Sequence, residues 1–265
     1  MSDDMKKILL RCAIILPVIL ALLVVMAVVG SRPARPPVPT KPTLPPSLYG
    51  PEDFYFEGDT LACYEAEVAF GIDVSHHQGV IDWQAVADSG VEFVFVRLGY
   101  RGITGGELHE DDYVRENLRG AKEAGLQLGA YFYSQAITVE EARQEAAFAL
   151  EILGDTRLDL PLVFDWEQEQ RTENVPASTV TDSAIAFCED IALAGFTPMV
   201  YFNGYQAEHQ MDMARLDGYL WWLAMYDINE EFPCRMDYWQ YSCTGSVPGI
   251  EGNVDLNLMF PAEKE

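Results

Sequence analysis

Short apolar runs bounded by Gly, Pro or Asp recur at 68–74, 93–98, 126–133, 161–166 and 198–202. Each is too short for a helix and nearly continuous in hydrophobicity, as a strand covered on both faces must be. Between them lie stretches with helical periodicity. One spans 111–124 and stops at Gly125, where a left-handed C-cap is expected. A second opens with Thr138 and Glu141 at capping-box spacing and runs on through Ala146, Ala147, Leu150 and Leu153. A third, over 178–194, sets Ile185, Cys188, Ile191 and Ala192 on one face. Strands and helices alternating in this way predict a parallel α/β architecture.

Further strand-like runs at 219–226, at 237–242 and around Val254 lack convincing helices between them. About eight strands with fewer helices in roughly 190 residues fall short of a complete (β/α)8 barrel, which takes about 250. The expected fold is therefore α/β, a compact irregular (β/α) barrel whose later crossovers are trimmed or antiparallel. A doubly wound open sheet is the alternative, but no glycine-rich phosphate fingerprint supports it.

The pattern changes at the front of the chain. From Cys12 to Ser31 no residue is charged, and a helix of that length spans the hydrocarbon layer of about 30 Å. Lys6, Lys7 and Arg11 precede the run, which favours a cytoplasmic N-terminus and an exterior location for the remainder. Residues 1–31 are thus read as a cytoplasmic tail and transmembrane signal anchor, with secretion after signal cleavage near Val28 and Gly30 as the alternative. Pro33, Pro36, Pro37, Pro39, Pro42, Pro45 and Pro46 then form a stiff, extended spacer. The expected organisation is a proline-rich linker and lead-in loop over 32–67, followed by one barrel domain over 68–265.

Charge and cysteine usage narrow the classes. The net charge is −25, although residues 1–47 carry six basic and only two acidic side chains. Such an acidic domain disfavours nucleic acid, whose binding rests on neutralising phosphates. Cys63, Cys188, Cys234 and Cys243 have no zinc-site spacing. An oxidising exterior permits a Cys234–Cys243 disulfide, with two free thiols as the alternative. No metal, no cofactor and a monomeric state are expected.

Four acids fall where barrel strands end at the catalytic mouth: Asp73, Asp165, Glu167 and Asp255. Asp165 and Glu167 are two apart on one strand and therefore point to the same side. Mutual repulsion between such carboxylates raises at least one pKa, which keeps an acid protonated for donation to a leaving oxygen. Glycoside hydrolysis needs this equipment. The plain alternative has Glu167 leaving the strand into solvent and Asp165 capping a turn. Tyr100, Tyr133, Tyr201, Trp222, Trp239 and Tyr241 lie near other strand ends and offer faces on which sugar rings pack, although some must be core.

The stretch Gly71-Ile72-Asp73-Val74-Ser75-His76-His77-Gln78-Gly79-Val80-Ile81-Asp82-Trp83 resembles the opening motif of glycoside hydrolase family 25, the muramidase-type lysozymes. Gly129-Ala130-Tyr131-Phe132-Tyr133-Ser134, Asp165-Trp166-Glu167, Trp239-Gln240-Tyr241-Ser242 and Gly252-Asn253-Val254-Asp255-Leu256-Asn257 are similar to its later motifs, in order, over about 68–260. The resemblance implies a shortened barrel that hydrolyses the β-1,4 bond from N-acetylmuramic acid to N-acetylglucosamine in peptidoglycan glycan strands. It also implies Glu167 as proton donor, Asp165 as its partner at the anomeric side, and Asp73 and Asp255 as flanks of the cleft. Tyr100, Tyr133, Tyr201, Trp239 and Tyr241 are the expected substrate contacts. Arg97-Leu98-Gly99-Tyr100-Arg101-Gly102 departs from the family's Lys-Ala-Thr-type sequence and is expected to alter subsite contacts.

Two other functions fit parts of the pattern. A metal-dependent phosphodiesterase would gather His76 with Asp165, Glu167 and Asp255 around a hard cation. A noncatalytic cell-wall glycan-binding domain would keep the fold without the chemistry.

Overall fold

Inward and outward positions alternate along the strands of the computed structural model, which describes residue 5, residues 44–58 and residues 60–262. In chain order these contain β1 (Phe54–Glu57), β2 (Thr60–Cys63), β3 (Ala69–Val74), α1 (Trp83–Asp88), β4 (Phe93–Arg101), β5 (Leu108–Glu110), α2 (Val114–Glu123) and β6 (Gln127–Ser134). They continue with α3 (Val139–Leu153), β7 (Leu162–Trp166), α4 (Ala177–Leu193), β8 (Pro198–Asn203), α5 (Gly204–His209), β9 (Leu220–Ala224), β10 (Tyr238–Gly245) and β11 (Val254–Met259). The expected anchor at 12–31 and the spacer up to residue 43 lie outside the described residues. Among the described residues no helix is long and apolar enough to cross a membrane.

Eight strands hydrogen-bond in the order β3-β11-β10-β9-β8-β7-β6-β4, and pairing of β3 with β4 closes the ring. A closed ring excludes the doubly wound open sheet. β11 runs antiparallel to both β10 and β3, while the other neighbours in the ring are parallel. Long crossover helices are confined to the first half: α5 has six residues, and no α-helix separates β9, β10 and β11. The barrel is irregular in the manner expected.

Phe93, Phe95, Tyr131, Val163, Met199, Tyr201, Trp222 and Tyr238 form one buried cluster, and their strand neighbours Val94, Val96, Phe132, Phe164, Val200 and Phe202 belong to a second that includes the helices. The period of two thus divides the barrel lumen from the strand–helix layer. Two glycines admit the lumen's rings: a Cβ on Gly71 would stand 2.4 Å from the Phe93 ring, and one on Gly129 would stand 2.3 Å from Phe95. Full burial of each such phenylalanine contributes about 1.5–3 kcal/mol.

The helix ends follow local chemistry. Gly125 takes φ +84° just after α2, a conformation disfavoured for residues with a Cβ. Thr138 Oγ1 accepts from Glu141 N at 3.2 Å to start α3. The Glu141 carboxylate accepts from Ile137 N at 2.9 Å and pairs with Arg171 at 2.6 Å, so the expected box is only half made.

The lead-in is more structured than a loop. β1 and β2 form an antiparallel hairpin whose Phe54 ring stands edge-on to Trp239 and Phe232, at centroid distances of 4.9 and 5.6 Å. Leu61 is buried beside it. Runs of four residues are too short to announce themselves by alternation. The Cys234–Cys243 bridge is not formed: both thiols are free, Cys234 buried and Cys243 exposed. Cys234 belongs to the strand–helix core, whereas Cys243 lies on the solvent side of β10.

Candidate active site

Asp73 is the fifth residue of β3, and Asp165 is the fourth of β7, so both sit near the C-terminal ends of parallel strands. Glu167 follows two residues after Asp165 on the same side. Asp255 is the second residue of antiparallel β11 and is paired in register with Asp73, which brings it to the same mouth. Tyr133 is the register partner of Asp165, and Asp165 is the partner of Tyr201. All four expected acids line one cavity of about 200 Å³, together with Tyr131, Tyr133, Tyr201, Trp222, Arg97 and Gln240.

An ordered polar network fixes the Asp73 side of this cavity. Gln240 Nε2 and Asn257 Nδ2 each donate to Asp73 Oδ2 at 2.8 Å. Gln240 Oε1 accepts from the Tyr201 and Tyr226 hydroxyls, both at 2.9 Å, and Asn257 Oδ1 accepts from Trp222 Nε1 at 2.9 Å. Asp255 is pushed up to about 8, first by desolvation, then by the Asp73 charge and a hydrogen bond shared with it. Burial likewise raises Asp73, while bonds from Asn257, Gln240 and Asp255 pull it down. Both carboxyls are thus raised by burial, and as a hydrogen-bonded pair they titrate together.

The opposite side is less compensated. Asp165 is raised well above its ordinary range by burial and then by the charges of Glu167 and Asp73, with Arg97 opposing. Its Oδ1 is buried without a hydrogen-bond partner. Glu167 is raised by burial, then by Glu169 and Asp73. Its backbone is held firmly: Glu167 O accepts from Gln135 Nε2 at 2.8 Å and Thr172 Oγ1 at 3.0 Å. The preceding Trp166 carbonyl accepts from Gln206 Nε2 at 2.5 Å, and its indole donates to Ala136 O at 3.0 Å.

The aromatic expectations divide. Tyr133 and Tyr201 line the central cavity, as does Trp222. Tyr100 lines an adjoining cavity, also bordered by Tyr133, and lies beneath the Arg97 guanidinium at 5.2 Å from its ring centroid. Trp239 and Tyr241 do not line the central cavity. Both take outward positions on β10, between and beyond the inward Tyr238 and Gln240. Trp239 is fully buried and donates from Nε1 to Met225 O at 2.8 Å, while Tyr241 is buried against a neighbouring cavity.

His76 does not join the acids in a metal cluster. Its ring bonds to Asp111 at 3.3 Å and to Arg97, and no group of His, Cys, Asp and Glu among the described residues is arranged to hold a metal. Arg97, noted as a departure in the sequence, is fixed by Asp111 at 2.9 Å and holds positive charge beside the cleft. Gln240, Asn257, Tyr131, Tyr226 and the Gln135–Thr172 clamp were not singled out by sequence. Gln240 and Asn257 were within the motifs, and strand parity was the signal that could have selected them.

The family model described as Glycosyl hydrolases family 25 matches residues 72–250. The chain is 31% identical over 204 residues to YegX of Escherichia coli O157:H7, a protein described as uncharacterized, covering 74% of this chain and 71% of the relative. It is 28% identical over 188 residues to the autolytic lysozyme of Clostridium acetobutylicum, covering 71% of this chain and 54% of the relative. The modular autolysin LytC of Streptococcus pneumoniae aligns with a TM-score of 0.64 at 25% identity, over 73% of this chain and 47% of that one. The chain thus spans about half the length of those two proteins, and what it shares with them is the barrel. With its closed barrel, its acid-lined mouth and a family match across most of its length, the chain belongs to glycosyl hydrolases family 25 and is a glycoside hydrolase.

Proposed function

We propose that this protein is a lysozyme-type N-acetylmuramidase that hydrolyses the β-1,4 bond between N-acetylmuramic acid and N-acetylglucosamine in peptidoglycan. The observation that carries this reading is the pair Asp165, buried, and Glu167, half-buried, which line one cavity at the barrel mouth with both pKa values raised. A raised pKa keeps Glu167 protonated for transfer to the glycosidic oxygen as the bond breaks. The substrate's 2-acetamido oxygen attacks the anomeric carbon from the other face, the substrate-assisted exception to a carboxylate nucleophile. Asp165, raised in the free protein by burial and by the Glu167 charge, is drawn to its carboxylate form when the acetamido N–H docks against it, and that carboxylate stabilises the positive charge that develops there. Glu167, now a carboxylate, takes a proton from the water that opens the ring, and two inversions give net retention.

Asp73 and Asp255 flank this centre, Tyr133 offers its face to the sugar rings, and the buried Tyr201 and Trp222 form the floor beneath them. Tyr100 extends the contact surface along the adjoining cavity. The test is digestion of purified peptidoglycan with the full-length protein, followed by mass analysis of the released muropeptides. Reducing ends of N-acetylmuramic acid are expected; reducing N-acetylglucosamine ends, or no release, would overturn the assignment.

We further propose that the catalytic unit works outside the cytoplasmic membrane, held there by the uncharged run at 12–31. Full-length protein should sediment with membranes and resist carbonate extraction. Recovery of a soluble mature form starting near Ser31 would replace the anchor with a cleaved signal.

A further inference from the structure

The cleft continues beyond the acids on the side of β9 and β10. Tyr226 lines the central cavity and also a second one of about 650 Å³. Its hydroxyl donates to Gln240 Oε1 at 2.9 Å, and Gln240 in turn donates to Asp73. The ring is therefore fixed by the network that orders the acids, yet it is 51% exposed.

The second cavity is also lined by Phe56, from a different part of the chain. Phe54 and Phe56 share one face of β1, being two residues apart. Phe54 is buried against Trp239; Phe56 is 56% exposed. The apolar face of the hairpin thus runs past the edge of the core and out along the cavity. Asp227, Asn229 and Ser242 supply polar groups around the two rings. Large exposed aromatics rimmed by such groups mark a binding surface. A pyranose, with C–H faces and equatorial hydroxyls, matches both components.

We infer that the β1–β2 hairpin completes an additional sugar subsite, in which Phe56 and Tyr226 receive a pyranose ring of the glycan strand held by the acids. The hairpin precedes residues 72–250, which match the family, so this subsite belongs to this chain's own lead-in. It rests on the muramidase reading and extends it along the strand.

The test compares full-length protein with its Phe56→Ala variant on peptide-free glycan strands, separated into long strands and the shortest cleavable oligosaccharide. Loss of one aromatic–sugar contact should raise KM for long strands about three- to tenfold. The kcat, and all constants for the shortest substrate, should stay unchanged, and Phe56→Trp should restore the KM. Equal KM values on long strands would overturn the subsite alone. An equal loss on both lengths would also overturn it, by showing that the variant disturbs the central site. Failure of the parent protein to cleave either substrate would remove the muramidase reading, and this subsite with it.

Discussion

Asp165 carries an oxygen that is buried with nothing to accept from. Such an atom costs free energy in the unliganded protein, and the cost is recovered if an acetamido N–H docks against it. Glu167 has the complementary task of holding a proton. Glu167→Gln keeps the shape without a transferable proton, so kcat should fall about 100-fold or more while the unfolding midpoint is retained. Asp165→Asn should cripple kcat as well, yet without removing a covalent nucleophile. Proton NMR of the first-formed product should show the retained anomer; initial inversion, or a glycosyl adduct trapped on Asp165, would exclude the substrate-assisted route. The pH profile carries a second check. Because Glu167 is raised above the ordinary value, mainly by burial, its active protonated form persists to higher pH than a free glutamic acid. Activity should fall as pH rises through that elevated value.

At the scale of elements, strand parity separates what was legible from what was not. The i,i+2 relation of Asp165 and Glu167 depends only on strand geometry, so their proximity could be read from the end of β7 and the residue that follows it. The same rule applied to β10 would have chosen Gln240 over Trp239 and Tyr241. The aromatics were more conspicuous than the amide between them, and the inward face of a strand running from a trimmed crossover has no helix to define it. The docked hairpin was also invisible, because its stability derives from Phe54 packing on a residue 185 positions later in the chain, Trp239. Trp239 therefore acts in packing. Trp239→Ala should cost about 3–5 kcal/mol in denaturant unfolding; unchanged stability with a raised KM would restore it as a sugar platform. The clamp on Glu167 acts through the backbone. Gln135→Ala removes the 2.8 Å bond to the Glu167 carbonyl and should lower kcat about tenfold with KM unchanged, less than the hundredfold expected of an ångström-scale misplacement. A rise in KM without loss of kcat would assign Gln135 to substrate binding instead.

Across the whole molecule, the acids that equip the cleft also set how the fold responds to pH. Asp255 is raised from 3.8 to about 8, and Glu145, buried beside Arg101, is raised from 4.5 to about 7, both chiefly by desolvation. Asp73, Asp165 and Glu167 shift in the same direction. In each case the folded state binds its proton more tightly than the unfolded chain does. The associated stability is therefore fully present below the ordinary carboxyl values near pH 4 and is lost as pH rises through the folded values. The Glu141–Arg171 pair works the other way, with Glu141 lowered by its partner despite a desolvation penalty, as do the lowered Asp227 and His77, but these three groups are partly or fully exposed and solvent screens their effect. The melting temperature should be highest in mild acid and decline between about pH 4 and pH 8. Asp255→Asn removes the titrating proton while keeping a side chain that can still donate to Asp73, so its melting temperature should decline less over that interval. The decisive measurement is a melting series for both proteins across the interval. Parallel curves would mean that the Asp73–Asp255 pair contributes nothing to the pH dependence. Convergence towards acid, with the variant more stable at neutral pH, would show that the fold gives up stability there to keep acids protonated in its cleft.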